Sequence, residues 1–242
     1  MWKFDAHEAG DIEICGMADK PLQLFLNRPL IKILEDLGVP EESFIALQDT
    51  AVSQLKQAVD HALSAADFLQ RERIAETMGF PALIRNMHKI GIDSLEDVFL
   101  QTAVEAATKL HMRDLKYRGR IPVEKGLKLF GIMDETGYLK EDEIYCVIQT
   151  PKGYREVLGD PKGTGFRAKA LISRSPSMHP GDVQLVYAVN VPPDSPLNSL
   201  HNVVVFSQHG LRDLPSKLAG GGMMNIFAIF AKIMLTRSRS RR

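Results

Sequence analysis

The sequence predicts an α+β chain in which a helical segment leads into a small closed or nearly closed β-barrel. Three observations point there: apolar residues recur at three- and four-residue steps from about Leu30 to Tyr117, the period changes at Arg118, and short branched runs separated by Gly and Pro follow. At 242 residues with 45% apolar side chains, the chain is long enough to bury a core. No low-complexity linker separates helices from strands, so they read as one mixed unit.

Phe44, Leu47, Ala51, Leu55, Val59, Ala62, Leu63 and Ala66 fall on one face of a first long helix. Gly79-Phe-Pro81 breaks the run and sets Pro81 in the first turn of the next helix. Ser94-Leu-Glu-Asp97 reads as a capping-box start for a third, whose inner face is Leu95, Val98, Phe99, Thr102, Ala103, Ala106 and Leu110. Such stripes are core rather than ligand boxes. Beyond Arg118, the segments Arg120-Ile-Pro-Val123, Leu127-Lys-Leu-Phe130 and Glu143–Ile148 are short and branched, with Asp134-Glu-Thr-Gly137 as a turn. Phe166–Ile172, Asp182–Val189 and Asn202–Phe206 continue the series, the pattern of a barrel.

Composition removes several classes. Lys and Arg total 30 and Asp and Glu total 30, so net charge gives no pull toward nucleic acid and only local clusters could. Cys15 and Cys146 lack CxxC spacing, which argues against a zinc site or a disulfide framework and for small apolar packing in a reducing compartment. The N-terminus has no apolar signal core, an intracellular pattern that leaves cytoplasm and nucleus both open. Ile226–Leu235 contains Lys232 and is about half the roughly 20 residues a membrane span needs, so no membrane partner is expected. The ending Arg237-Ser-Arg-Ser-Arg-Arg242 reads as a nuclear signal, a nucleic-acid tail or unselected sequence.

Gly159-Asp-Pro-Lys-Gly-Thr-Gly165 lacks the GxxxxGK[ST] order of a phosphate loop and reads as a hairpin loop. His179 and Asp182, near Ser173, Ser175 and Ser177, lack the GxSxG frame of a hydrolase, and Pro176, Pro180 and Gly181 mark a rigid bend instead. The basic residues carry more. Arg113, Lys116, Arg118 and Arg120 gather where helix gives way to strand, and Arg167 and Lys169, two apart on a strand, project together as a phosphate-binding pair, with a solvated charged face as the competing reading.

Four blocks, in order, carry a family resemblance. They are Leu26-Asn-Arg-Pro-Leu-Ile-Lys-Ile-Leu-Glu-Asp-Leu-Gly-Val39, Gly131-Ile-Met-Asp-Glu-Thr-Gly-Tyr-Leu-Lys-Glu-Asp-Glu143, Arg174-Ser-Pro-Ser-Met-His-Pro-Gly-Asp182, and Asn202–Ser207 with Leu214-Pro-Ser-Lys-Leu-Ala-Gly-Gly221. Together they resemble the eukaryotic RNA-directed RNA polymerases of RNA silencing from about Leu22 to Gly221. The resemblance implies a helical neck followed by a partial double-psi β-barrel of the two-barrel RNA polymerase core: residues 1–40 end the preceding barrel and enter the neck, 41–118 are the neck, 119–222 the incomplete second barrel, and 223–242 a tail outside the family. It also implies a nucleotidyltransferase that copies single-stranded RNA from nucleoside triphosphates with magnesium, working beside proteins of the silencing pathway.

Residue by residue, the resemblance implies that Arg174 faces RNA or triphosphate, with Arg118, Arg120, Arg167 and Lys169 as further RNA or nucleotide contacts. His179 and Asp182 fix the bend, and Ser216, Gly220 and Gly221 shape the approach to the catalytic loop. In the family the Gly-Gly pair leads into DxDGD, whose aspartates hold the metal; here Gly222-Met-Met-Asn-Ile226 follows and no aspartate comes after it. No catalytic or metal-ligating residue is therefore assigned, and magnesium is not expected to bind this chain. Gly-Met-Met-Asn-Ile is encoded GGN ATG ATG AAY ATH, which read from the third glycine base gives an acidic Asp-Glu-containing product. A frame or splice error and an in-frame loss of the loop are the two accounts, the former preferred. The alternative function is a catalytically inactive RNA-binding or regulatory module.

Overall fold

The computed structural model describes residues 21–75, 77–149, 155–157, 168–218 and 226–231. Cys15, Arg167, Gly220, Gly221, the hairpin loop at 159–165 and the Arg-Ser ending lie outside them. Strand β1 (Leu22–Phe25) precedes five helices, α1 (Arg28–Asp36), α2 (Glu41–Asp60), α3 (Ala62–Arg71), α4 (Phe80–Lys89) and α5 (Val98–Arg118). There follow β2 (Pro122–Met133), β3 (Glu143–Gln149), β4 (Arg155–Val157), β5 (Ala168–Arg174), β6 (Val183–Ala188), β7 (Val203–Phe206), the one-turn α6 (Leu214–Lys217) and β8 (Ile226–Ala231). No helix among the described residues is long and apolar enough to cross a membrane.

The helices depart from the sequence reading in two places. The first long helix is two: His61 adopts extended backbone at φ −136°, ψ 124°, ending α2 and opening α3. Phe44, Ala51, Leu55 and Ala58 are buried before the break and Ala62, Ala65, Ala66, Phe68 and Leu69 after it, whereas Leu63 is exposed. No Gly or Pro marks the kink, so periodicity runs through it unbroken. The N-cap of α5 is Asp97, whose side chain accepts from Leu100 N at 2.9 Å, and not Ser94, which is buried upstream. The inner face turns accordingly: Leu100, Val104, Ala107, Thr108 and Leu115 are buried, while Val98 and Phe99 are 75% and 67% exposed. Pro81 does sit in the first turn of α4, after Gly79 in left-handed backbone.

The strands curl into a ring. Pairings run β2–β7–β3–β6–β5–β8, and β8 pairs back to β2; β2–β7 and β3–β6 are parallel and the other contacts antiparallel. β1 adds to β2 outside the ring and β4 to β3. Residues expected as separate strands, 120–123 and 127–130, belong to the single long β2, because it serves β1 and β8 along one half and β7 along the other. Period-two alternation sorts the faces. Ile144 and Cys146 of β3 and Val204 and Phe206 of β7 join Leu129, Ala170, Ile172, Val186 and Ala188 in one core, closed by Leu214 and Leu218. Tyr145, Val147 and Val205 point the other way, onto Leu139 and Leu197. Burial pushes the Cys146 thiol pKa far up, so it packs as a small apolar group.

Helices and barrel share a third core: Leu30, Ile33 and Leu34 of α1, Phe44 of α2 and Leu115 of α5 pack on Leu24, Val123 and Val183. Gly126 lies at that seam; a Cβ there would come within 2.6 Å of Leu24 Cδ2, so a side chain cannot enter without moving β1.

Candidate nucleic-acid interface

The bend between β5 and β6 is held by side chains bonding to backbone. Asp182 Oδ2 accepts from Met178 N at 2.8 Å and His179 N at 3.0 Å, while His179 Nδ1 accepts from Gly181 N at 2.9 Å, a reciprocal cap. Ser173 and Ser177 hydroxyls lie 2.6 Å apart, within reach of the Asp182 carbonyl at 3.0 Å and the Arg174 carbonyl at 2.5 Å. Two hydroxyl protons thus serve three contacts, and none of these serines is poised as a nucleophile. Arg174, half-buried, leaves β5 at the start of this bend.

A second braced element runs toward residue 218. Asp134 is buried, and its carboxylate accepts from Thr136 N at 2.9 Å, Thr136 Oγ1 at 2.6 Å and Leu139 N at 2.8 Å. Asp134 N donates to Phe206 O at 2.8 Å, Ser207 Oγ donates to Leu139 O at 2.8 Å, and Gln208 Nε2 donates to the Asp134 carbonyl, so this turn is buttoned to the end of β7. Gly210, at φ 117°, then passes Glu141 so closely that a Cβ would lie 2.7 Å from its carboxylate oxygen. Asp213 caps α6, accepting from Ser216 N at 3.0 Å, and Ser216 Oγ donates to Asp213 O at 2.8 Å. Lys217 ties the helix back through Glu141 at 3.3 Å and Asp142 at 3.5 Å.

Asp134 also carries a pH signature. Desolvation raises its pKa, but hydrogen bonds from Leu139, Thr136 and Tyr138 outweigh it and hold the carboxyl below the usual range. A depressed folded pKa gives stability that is present above about pH 3.9 and lost as pH falls through the folded value. Asp134→Asn is expected to lose about 1–3 kcal/mol at pH 7 by leaving donors unsatisfied, and to flatten the acid limb of stability measured by urea melts below pH 4. An unchanged acid limb would remove Asp134 as its source.

Among the described residues the predicted basic side chains are spread over different elements. Lys169 is exposed, and its odd separation from Arg174 along the regular β5 ladder puts the two on opposite faces. Arg118 is exposed and pairs with Asp114 at 3.5 Å. Beyond the left-handed Gly119 that ends α5, Arg120 stacks on Phe25, its Cζ 4.1 Å from the ring centroid. The same ring has Lys128 Nζ at 6.0 Å, a residue the sequence pattern did not single out. Its only signal was a Lys inside an apolar strand.

An RNA dependent RNA polymerase family model matches residues 1–223. This chain belongs to that family. It is 29% identical over 199 residues to "Probable RNA-dependent RNA polymerase 1" of Oryza sativa subsp. japonica, covering 82% of this chain and 25% of that protein. It is 27% identical over 209 residues to "RNA-dependent RNA polymerase 1" of Schizosaccharomyces pombe, covering 82% and 17%. The fold matches RNA dependent RNA polymerase QDE-1 from Thielavia terrestris at a TM-score of 0.67 and 20% identity, over 90% of this chain and 26% of that one. The chain thus spans about a quarter of the first of these relatives. The mixed α+β architecture of helices and curled sheet is the family's; β8 lies beyond the matched residues.

The carboxylates near the matched blocks are already engaged in hydrogen bonds. Asp134 uses both oxygens on Thr136 and Leu139, Asp182 accepts two backbone N–H groups, and Asp213 caps α6. Desolvation pulls the Asp213 pKa up, but the Ser216 hydrogen bonds prevail and lower it, fitting a committed cap. No group of three His, Cys, Asp or Glu side chains among the described residues is placed to hold a metal ion. These carboxylates do not fit a magnesium centre.

Proposed function

We propose that the chain is the neck-and-barrel segment of an RNA-directed RNA polymerase of the silencing type, and that its own share of the reaction is to hold single-stranded RNA and nucleoside triphosphate against the barrel. The observation that carries this is the family match across residues 1–223. Arg174, leaving β5 at a bend locked by His179 and Asp182, is the contact assigned to phosphate, with Arg120, Arg118, Arg167 and Lys169 as further contacts. The same reading puts the chain inside the cell, beside silencing proteins. A second reading, a non-catalytic RNA-binding or regulatory module, is favoured by the commitment of Asp134, Asp182 and Asp213 to hydrogen bonds.

Both readings require RNA binding with little sequence preference. Fluorescence anisotropy with a labelled single-stranded RNA is expected to show affinity falling steeply with salt, by a log–log slope of about −0.7 per phosphate contacted. Arg174→Ala should weaken binding with little change in melting, whereas His179→Ala should cost about 0.5–1.5 kcal/mol of stability as a lost cap. Affinity that does not change between low and high salt would overturn the RNA reading.

A further inference from the structure

The seam between the helices and the barrel carries an electrostatic arrangement that packing does not explain. Arg120 Cζ stands 4.1 Å and Lys128 Nζ 6.0 Å from the centroid of the one Phe25 ring. Among the described residues neither cation forms an ion pair or donates a side-chain hydrogen bond. Nearby carboxylates are engaged elsewhere: Glu72 by Arg71 at 3.3 Å and His111 at 3.7 Å, Glu124 by Gln54 at 3.2 Å, and Asp114 by Arg118 at 3.5 Å. Lys128 is half-buried on β2, with Leu22 of β1 on one side and Ala228 of β8 on the other. Burial and then the charge of Arg120 lower its pKa. Two like charges sharing an aromatic ring without a carboxylate is an arrangement that a bound anion would relieve.

We infer that Arg120 and Lys128, seated on Phe25, form a phosphate-binding clasp at the neck–barrel seam that takes a backbone phosphodiester of single-stranded RNA. The guanidinium offers a planar fork of donors and the ammonium a point charge, the two complementary ways proteins hold phosphate. Phe25 holds both by cation–π attraction and shields one side from water, which strengthens each contact. Phe25 and Arg120 also line a small open cleft with Gln54, Arg71, His111 and the already paired Glu72, so the Arg120 side of the clasp is open to solvent. Along α5, Arg113, Lys116 and Tyr117 recur at helical spacing before Arg120, with Lys116 Nζ 5.2 Å from the Tyr117 ring. A polyanion can use that series of cations and rings, and an isolated phosphate cannot.

The inference rests on the RNA reading above, and the test separates the two. Labelled single-stranded RNA is titrated by anisotropy at several salt concentrations against the 242-residue chain, Lys128→Gln, Arg120→Gln, the double variant and a Lys109→Gln control, with folding checked by circular dichroism. Each clasp variant should lose about tenfold in affinity at low salt and lower the salt slope by about 0.7, with the double variant losing less than the product because both grip one phosphate. Lys109→Gln, which loses only an exposed pair with Glu105, should bind normally. Independently of any variant, RNA should protect Lys128 of the wild-type chain from acetylation and leave Lys109 unprotected. Inorganic phosphate and UTP, tested as competitors, should not displace RNA at sub-millimolar concentration; displacement would mean a free-anion site and overturn the phosphodiester assignment. Wild-type RNA binding with unchanged slopes in the variants, or with Lys128 unprotected, would overturn the clasp alone. No RNA binding by the wild type would overturn the clasp together with the reading beneath it.

Discussion

Replacing Phe206 with alanine is expected to remove about 3–5 kcal/mol of folding stability. Phe206 is fully buried in the barrel core among Leu129, Ile144, Val186 and Leu214. Its strand is paired with β2 on one side and β3 on the other, Phe206 lying opposite Met133 and Ile144, so the backbone cannot close around the lost ring. Its carbonyl also accepts from Asp134 N, which ties the same residue to the braced turn. Against a typical total of about 5–15 kcal/mol the loss is a large fraction. Urea denaturation should show a much lower midpoint with little change in slope, while Leu185→Ala, at a 39% exposed position, should change it by less than about 1 kcal/mol. A Phe206→Ala chain within 1 kcal/mol of wild type would mean this core is loosely packed. Because Leu214 and Leu218 close the same cluster, slack at Phe206 also reaches the approach that α6 holds.

What the sequence made legible follows from where local chemistry decides structure. The short branched runs Glu143–Ile148 and Asn202–Phe206 mark strands because both faces are buried, each against a different core, and Pro81 marks a helix start because its fixed φ suits only the first turn. The break at His61 was not legible, since its cause is tertiary: apolar residues continue on both sides, and α3 packs against both α2 and α4. Asp97 lost to Ser94 because both are good caps, and only the burial of Leu100 and Val104 chooses between them. The bend at 174–182 announced itself through Pro and Gly. Lys128 did not, since its significance comes from Phe25, distant in sequence and brought beside it by the β1–β2 pairing. The tail gave no hint that Ile226–Ala231 would pair with both β2 and β5, because an apolar run alone does not say which strand edges stand open to receive it.

The 242-residue chain as written is expected to incorporate no nucleotide into RNA, with template, triphosphates and magnesium supplied. In-line nucleotidyl transfer by two metals needs carboxylates converging on ions about 3.5–4 Å apart. Asp134, Asp182 and Asp213 instead accept backbone and hydroxyl hydrogen bonds from their own turns, and releasing any of them would undo the element it caps. Magnesium gives up water reluctantly and demands near-octahedral oxygen geometry, so carboxylates already committed to N–H donors do not compete for it. No aspartate or glutamate follows Gly221 in the sequence, so none is supplied from that side. Inserting an Asp-x-Asp-Gly-Asp segment after Gly221 should create manganese binding visible by electron paramagnetic resonance, while RNA synthesis should appear only when the rest of the relatives' length, of which this chain spans about a quarter, is joined as well. Metal binding by the insertion without synthesis is the expected intermediate result, and it separates a polymerase segment from a module that never regains activity even with both parts restored. Template-dependent incorporation by the unmodified chain, abolished by chelator and absent from a mock preparation, would overturn the assignment of these carboxylates as structural.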